Sequence, residues 1–273
     1  MIKIVTDSSS DLLALEGVQF SSAPLKILTD SKEYVDNADI DVRAFAEEMY
    51  RYNGKSRSSC PNVTDWIESF GDAEEVICLT ITSNLSGSYN SACLAKKIYE
   101  DDHPDRRVEV IDTLTAGPEI ALMAEKIRDS ILEGKDMDSI MLEMKGYKSE
   151  LLFMLESMKN LANNGRVGKV AATAAGVLGI RAVGRASDQG TLEMLSKCRG
   201  AAKAIDALLD YMKKYGFCEG KARIAHCLSE NTAKTLAQRI KAEFPRAKVV
   251  ISECRALCSF YAERGGLLIG FEV

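Results

Sequence analysis

The chain opens with Ile2-Lys3-Ile4-Val5-Thr6-Asp7-Ser8-Ser9-Ser10, a short apolar run that ends in polar side chains. The run from Ile2 to Val5 predicts a buried strand, and three similar runs follow, at Val18 to Ala23, Val76 to Ile81 and Val108 to Ile111. Helical patterns lie between and after them, at Asp41 to Arg51, Val63 to Phe70, Tyr89 to Glu100 and Pro118 to Leu132. This alternation predicts an α/β/α sandwich around a parallel sheet.

The second half of the chain has a different pattern of predicted elements, with more strands and two long helices. After a helix at Met137 to Met144, strands are predicted at Leu151 to Leu155, Ala182 to Arg185, Thr191 to Ser196, Arg223 to Leu228, Lys248 to Glu253 and Leu267 to Glu272. Helices are predicted at Ala201 to Tyr215 and Asn231 to Phe244, and a hairpin turn at Ser187-Asp188-Gln189-Gly190. We therefore predict an α/β fold of two domains. Residues 1–148 form the α/β/α parallel-sheet domain, and residues 149–273 form an α+β domain with a mixed or antiparallel sheet.

Charge and composition exclude several classes of function. The chain has 35 Lys and Arg against 40 Asp and Glu, a net charge of -5, and no dense basic cluster, so nucleic acid is not an expected partner. Its N-terminus turns polar after a few apolar residues, which argues against a signal peptide, and no apolar run reaches membrane-spanning length. We predict a cytoplasmic protein with at most transient membrane contact. Its eight cysteines form no Cys-x-x-Cys pair, so we expect reduced thiols and no metal site.

Familiar catalytic and nucleotide motifs are missing. Gly54-Lys55-Ser56 resembles the end of a phosphate loop, but position 49 is Met where that motif needs glycine. The chain has only two histidines and no Gly-x-Ser-x-Gly turn, so a serine hydrolase is not expected. We predict no catalytic residue and no cofactor.

Hydroxyl side chains cluster where two predicted strands end. Thr6 to Ser10 follows the first strand, and Thr82-Ser83-Asn84-Leu85-Ser86-Gly87-Ser88 follows the third and begins a helix. Ligands bind at this edge of an open parallel sheet, and the amide N–H groups at a helix N-terminus favour an anion. The alternative is simple helix capping, which accounts for one hydroxyl but not for several. A third group, Ser58-Ser59-Cys60-Pro61, is by itself only a loop and a helix cap.

Taken together, short motifs along nearly the whole chain resemble the DegV family, whose members include the fatty-acid-binding subunits of the bacterial fatty acid kinase. The motifs that carry the resemblance are Ile4-Val5-Thr6-Asp7-Ser8-Ser9-Ser10-Asp11-Leu12, Ala23-Pro24-Leu25 with Tyr34 and Asp36, Ser58 to Pro61, Thr82 to Tyr89, Ile111-Asp112-Thr113, Lys159 to Val167 and Arg264-Gly265-Gly266-Leu267. Their order and spacing are more specific than any one of them.

The resemblance implies a lipid-binding protein rather than an enzyme, with one long-chain fatty acid between the two domains and a separate kinase as partner. It assigns the fatty-acid carboxylate to hydroxyl and amide donors, and the residues carried over are Ser58, Ser59, Ser83, Ser86 and Gly87. Arg166 matches a family arginine linked to the partner kinase or to the acyl phosphate product. A guanidinium suits phosphate, although an exposed surface arginine is the alternative for this residue.

The chain departs from the family pattern at three positions. Cys60 stands where typical binders have glutamine, Tyr261 stands where they have histidine, and Glu263 adds a carboxylate nearby. Because a phenol also donates a hydrogen bond to a carboxylate, we add Tyr261 to the predicted carboxylate site. We expect the tail to be lined by the helix Pro118 to Leu132 and by the small residues Ala171 to Gly179. Two alternatives remain open: an enzyme acting on a small anionic substrate, and a regulatory protein without ligand.

Overall fold

A computed structural model describes residues 1–168 and 179–273, and their backbone forms the following elements. The strands are β1 (Ile2–Asp7), β2 (Gln19–Ala23), β3 (Lys26–Thr29), β4 (Glu33–Val35), β5 (Ser56–Ser59), β6 (Glu75–Thr80), β7 (Arg107–Asp112), β8 (Ser149–Leu155), β9 (Ile180–Ala186), β10 (Leu192–Arg199), β11 (Lys221–His226), β12 (Lys248–Glu253) and β13 (Leu267–Glu272). The helices are α1 (Val42–Arg51), α2 (Val63–Phe70), α3 (Ser88–Asp102), α4 (Pro118–Leu132), α5 (Met137–Gly146), α6 (Lys159–Asn163), α7 (Ala201–Lys214), α8 (Glu230–Glu243) and α9 (Ala256–Ala262).

The first sheet is parallel, with strand order β2-β1-β6-β7. Alternate residues of its strands point to opposite faces, and both faces are covered by helices. Val5 and Val76 pack towards α2 and α3, whereas Ile4 and Ile77 pack towards α4 and α5. Burial on both faces explains why these strands are continuously apolar, and the predicted sandwich is confirmed.

The second sheet is mixed, with strand order β10-β9-β8-β13-β11-β12 and one parallel pair, β11 with β12. Helices α7 and α8 cover one face, where Leu152, Met154 and Ile269 are buried. Helix α4 contacts the other face at β8, β11 and β13, and it also contacts β1 and β6 of the first sheet. Among the described elements, α4 therefore lies between the two sheets and contacts both of them.

A small antiparallel sheet, β4-β3-β5, has no counterpart in the sequence-based prediction. Strand β5 is the polar stretch Ser56-Arg57-Ser58-Ser59, which carries no apolar alternation. Helix α9, close to the C-terminus, packs against this sheet and α1, with Phe260 beside Ile27 and Phe45. The backbone N–H groups of residues 256 and 257 donate to the buried carboxylate of Asp36. The end of the chain is thereby fixed to its beginning.

The predicted large strands and helices are confirmed, with ends that differ by a few residues. The predicted hairpin turn is also present, because Gly190 N–H donates to Ser187 O at 2.7 Å and Gly190 has a φ of +73°. Helices α6 and α9 were missed along with the small sheet. The division at residues 148 and 149 stays a prediction, although β8 begins the second sheet at Ser149.

Candidate functional site

A central cavity lies between the carboxyl ends of the first sheet and the open face of the second. Its empty space is about 710 Å³, a figure that includes the part open to solvent. Most of its lining is apolar: Leu25, Ile81, Leu85, Ala116, Leu151, Phe153, Leu155, Leu161, Leu192, Leu257, Ala262 and Leu268. The remaining lining side chains are the Cys258 thiol and four polar groups, Ser58, Ser86, Arg166 and Tyr261.

The four polar groups line the same cavity, and we call them the polar cluster. Ser58, Tyr261 and Arg166 contact one another, and Arg166 also reaches Leu85, the residue before Ser86. The hydroxyls of Ser58 on β5 and Tyr261 on α9 lie 2.6 Å apart, a hydrogen bond across 203 positions of sequence. Burial raises the pKa of Tyr261, while Ser58 and Arg166 act in the opposite direction. The phenol therefore stays protonated near neutral pH and is a hydrogen-bond donor.

Arg166 supplies the positive charge of the polar cluster. Its guanidinium carbon lies 5.7 Å from the centre of the Tyr261 ring, and its Nε donates to Leu85 O at 3.1 Å. A second guanidinium nitrogen donates to Asn164 O at 2.7 Å. Arg166 was predicted from the sequence to serve a partner or a phosphate. In the structure it lines the cavity itself, as Ser86 does.

The β6–α3 loop, residues 81–87, carries Ser86 and Gly87 to the start of α3. Ser86 lines the cavity, and its hydroxyl accepts from Ser88 N–H at 3.2 Å. Gly87 is exposed at the N-cap position of α3, where a Cβ atom would lie only 3.3 Å from Cys60 Sγ. The loop thus presents a hydroxyl and a helix N-terminus near the same end of the cavity, an arrangement that suits an anion.

Asp7, at the end of β1, lies beneath this loop and is fully buried. Its Oδ2 accepts from Ile81 N–H at 2.9 Å and from the Ser88 hydroxyl, and its Oδ1 accepts from the N–H and hydroxyl of Ser9. Burial raises the pKa of Asp7, and the hydrogen bonds from Ser88 and Ser9 lower it. No role was predicted for this carboxylate from the sequence, although hydroxyl side chains surround Asp7 there.

Two predicted carboxylate ligands, Ser59 and Ser83, do not line the cavity. Ser59 follows Ser58 in β5, so its side chain points to the opposite face and is exposed. Ser83 is half-buried, and its N–H donates to Asp112 Oδ1 at 3.0 Å. The structure therefore brings together Ser58, Ser86, Arg166 and Tyr261, and leaves these two serines outside the group.

The other departures from the family pattern have local explanations. Burial raises the pKa of the Cys60 thiol, so this side chain stays neutral beside Gly87. The Glu263 carboxylate accepts a hydrogen bond from Asn160 N–H at 2.9 Å, which ties α9 to α6. The negative charge of Glu263 is therefore used to hold two elements together, and Glu263 does not line the cavity.

The predicted lining of the tail is only partly tested. No residue of α4 itself lines the cavity, because its apolar side chains are buried between the two sheets, and Ala116 just before it lines the cavity instead. Most of the predicted stretch from Ala171 to Gly179 lies outside the described residues.

Other kinds of site find no support in the part of the chain that the structure describes. There, no group of three or more His, Cys, Asp or Glu side chains is placed to hold a metal ion. None of the helices in the described ranges is long and apolar enough to cross a membrane. All eight cysteines are free thiols.

Comparison with known proteins identifies the family of the chain. The family model described as "Uncharacterised protein, DegV family" matches residues 1–272. The chain belongs to the DegV family. A DegV domain-containing protein of Streptococcus pneumoniae is 41% identical over 277 residues, which cover 99% of each chain.

Two solved structures of DegV relatives were obtained with fatty acids. A DegV family protein from Eubacterium eligens, loaded with heptadecanoic acid, is 38% identical, with a TM-score of 0.98 over 100% of both chains. The fatty acid kinase B3 protein of Streptococcus pneumoniae, loaded with linoleic acid, is 41% identical, with a TM-score of 0.97. The match covers 100% of this DegV chain and 99% of the pneumococcal chain.

Proposed function

We propose that this DegV protein binds one long-chain fatty acid in the central cavity and presents it to a separate ATP-dependent fatty acid kinase. The carboxylate lies on the polar cluster and the alkyl tail lies among the apolar side chains. The observation that carries the proposal is the composition of the described lining, which is apolar apart from one thiol and the four side chains of the polar cluster. The two relatives loaded with heptadecanoic and linoleic acid support it.

The tail provides most of the affinity. Burying about sixteen carbons contributes roughly 0.8 kcal/mol per methylene, or about 12 kcal/mol before the costs of ordering and association. That gain does not depend on the head group, so hydrocarbons and alcohols of the same length share it.

The polar cluster provides the preference for an acid. A carboxylate without partners in an apolar cavity would cost several kcal/mol or take up a proton. Here the Ser86 hydroxyl and one hydroxyl of the hydrogen-bonded Ser58–Tyr261 pair are available as donors, and Arg166 supplies a charge of opposite sign. Hydrogen bonds to a charged group are stronger than neutral ones, so the ionised acid is the favoured ligand.

Presentation to a kinase is the finer part of the proposal. The exposure of Gly87, the residue after Ser86, supports access of a partner to the carboxylate at this end of the cavity. The same arginine that neutralises a carboxylate suits the greater negative charge of an acyl phosphate. We propose that the kinase meets the bound fatty acid in the cytoplasm. The test of presentation is ATP-dependent formation of acyl phosphate when a fatty acid kinase is added.

The alternative of an enzyme acting on a small anion needs an acid or base beside the polar cluster. Among the described residues, the cavity lining contains no histidine and no carboxylate. His226 lines a different cavity, with Arg43 and Leu228. A binding role therefore fits the described lining better than catalysis does.

The head-group test compares an acid with an alcohol of the same length. Ser58→Ala combined with Ser86→Ala should weaken fatty-acid binding by roughly 1.5–3 kcal/mol for each hydrogen bond lost to the charged group, and should change fatty-alcohol binding much less. The matched control is Ser59→Ala, which removes a neighbouring hydroxyl from the opposite face of β5. Titration with each lipid measures both affinities, and an equal loss for acid and alcohol would exclude the carboxylate role.

Native mass spectrometry of the purified protein tests the proposal directly. We expect the added mass of one fatty acid after mild purification, released by an organic solvent. A protein that stays ligand-free after incubation with palmitate and oleate would refute the proposed function.

A further inference from the structure

The Asp7 carboxylate connects both ends of the β6–α3 loop to the end of β1. Its Oδ2 accepts from the N–H of Ile81, where the loop begins, and from the hydroxyl of Ser88, the first residue of α3. Between these two contacts lie Ser86 and Gly87, the residues that present the hydroxyl and the helix N-terminus to the cavity. The distance between the ends of the loop is thus fixed by one buried oxygen atom.

The second oxygen of Asp7 fixes the carboxylate itself. Oδ1 accepts from the N–H and the hydroxyl of Ser9, within the turn that follows β1. Each oxygen therefore has two donors, and the residues that supply them, Ser9, Ile81 and Ser88, are all buried. Such a fully satisfied and buried network is rigid, because any rotation of the carboxylate leaves a donor without its acceptor.

We infer that Asp7 is the positioning residue of the fatty-acid head-group site: it sets the conformation of the β6–α3 loop that makes the cavity select a carboxylate. This inference rests on the proposed function and extends it to a residue that does not line the cavity. Asp7 acts through Ser86 and the start of α3. Two apolar lining residues, Ile81 and Leu85, belong to the loop that Asp7 holds, whereas the other ten apolar residues of the described lining belong to other parts of the fold.

The substitution Asp7→Asn disrupts the hydrogen bonds to the carboxylate with little change in the shape of the side chain. An amide has one acceptor oxygen and one donor nitrogen, so in either orientation its NH₂ group faces a backbone N–H, that of Ile81 or of Ser9, which can only donate. Asp7→Asn should therefore displace the loop, and the affinity for a fatty acid should fall by roughly tenfold or more. Affinity for the alcohol of equal length should stay within about twofold, because the tail gives most of it.

A milder variant removes a single contact. Ser88→Ala deletes one donor to Oδ2 and leaves the other three, so the ratio of acid affinity to alcohol affinity should fall by roughly three- to tenfold. The matched control is Ser10→Ala, a buried hydroxyl in the same turn whose partners are Thr6 Oγ1 and Leu12 N–H rather than Asp7. The ratio of acid affinity to alcohol affinity of Ser10→Ala should equal that of the wild type.

Titration of all three variants with palmitate and with hexadecanol gives the result, and circular dichroism confirms that each variant is folded. A loss of affinity that is equal for the two lipids would mean that Asp7 is merely structural, and an unchanged ratio in Ser88→Ala would also overturn the inference. If Asp7→Asn does not fold, Ser88→Ala decides alone. Wild-type protein that binds neither lipid would refute the proposed function instead, so the two failures are distinguishable.

Discussion

Single residues decide which end of the cavity is polar. In β5 the alternation of side chains turns Ser58 to the cavity and Ser59 to solvent, although the two residues are chemically identical. Tyr261, which stands where typical members of the family have histidine, reaches Ser58 from a distant part of the chain. At this scale the position of a hydroxyl matters more than its presence in a motif.

The Tyr261 hydroxyl can be tested by one substitution. Tyr261→Phe keeps the ring but removes the donor, so we expect fatty-acid affinity to fall by about tenfold, the equivalent of about 1.4 kcal/mol. The control is Tyr50→Phe, since Tyr50 is 62% exposed on α1. Titration with a fluorescent fatty acid measures both, and equal affinities for wild type and Tyr261→Phe would show that the phenol takes no part.

At the scale of elements, the first turn of α4 crosses β13 at a point where no side chain fits. A Cβ atom added at Gly270 would lie 2.6 Å from the backbone nitrogen of Glu119 and 2.7 Å from the carbonyl carbon of Pro118. Backbone atoms cannot move aside as a flexible side chain can. The glycine thus permits the close packing of α4 on the second sheet.

We therefore expect Gly270→Ala to lower the free energy of unfolding by about 1–3 kcal/mol, through overpacking between α4 and β13. Chemical denaturation measures the change. A suitable control is Gly146→Ala at the end of α5, where an added Cβ meets nothing within 4 Å. That variant should be neutral or more stable by up to about 1 kcal/mol, because alanine favours helix. Equal stability of Gly270→Ala and wild type would contradict the contact.

For the whole molecule, α4 is the layer shared by the two sheets. Its polar side chains form ion pairs and hydrogen bonds with strands of the second sheet. Arg223 of β11 pairs with Glu125, and Lys221 pairs with Asp129 at 3.0 Å. Glu119 is buried in the first turn, where it accepts hydrogen bonds from Thr115 and Ser149. Burial raises the pKa of Glu119 to about 7.

A buried carboxylic acid of this kind makes stability depend on pH. In the unfolded chain Glu119 loses its proton near pH 4.5, whereas in the folded protein it retains the proton up to about pH 7. Between these values the folded state binds more protons than the unfolded state, so the contribution of Glu119 to stability falls as pH rises through that range. Above about pH 7 both states are ionised and the contribution of Glu119 no longer changes.

Glu119→Gln removes this titration while keeping the shape of the side chain. From pH 4.5 to pH 8, the stability of the variant relative to the wild type should rise by up to about 3 kcal/mol. Urea unfolding of lipid-free protein at several pH values measures it. Asp11, whose pKa burial also raises to about 7, is present in both proteins and cancels in the comparison. Parallel pH profiles for the two proteins would contradict the buried titration.

Local patterns in the sequence were enough to predict the regular elements of both large sheets and the places where hydroxyls gather. Continuous apolar runs such as Val76 to Ile81, and the helical pattern of Pro118 to Leu132, are local signals with a period of their own, so neighbouring residues suffice to predict them. The serines of the β6–α3 loop were found for the same reason, since they directly follow a strand. The resemblance to the DegV family then gave Ser58 and Arg166 their place among the site residues.

How these elements contact one another depends on the packing of the whole chain. Strand β5 is polar and exists because it pairs with β3, and α9 is a short helix held by Asp36 from the other end of the chain. Some of the contacts in the site join residues far apart in sequence. Examples are the hydrogen bond of Ser58 with Tyr261 and the hydrogen bonds that Asp7 accepts from Ile81 and Ser88. Such contacts arise when layers pack and buried polar groups find partners, and no local pattern of residues encodes them.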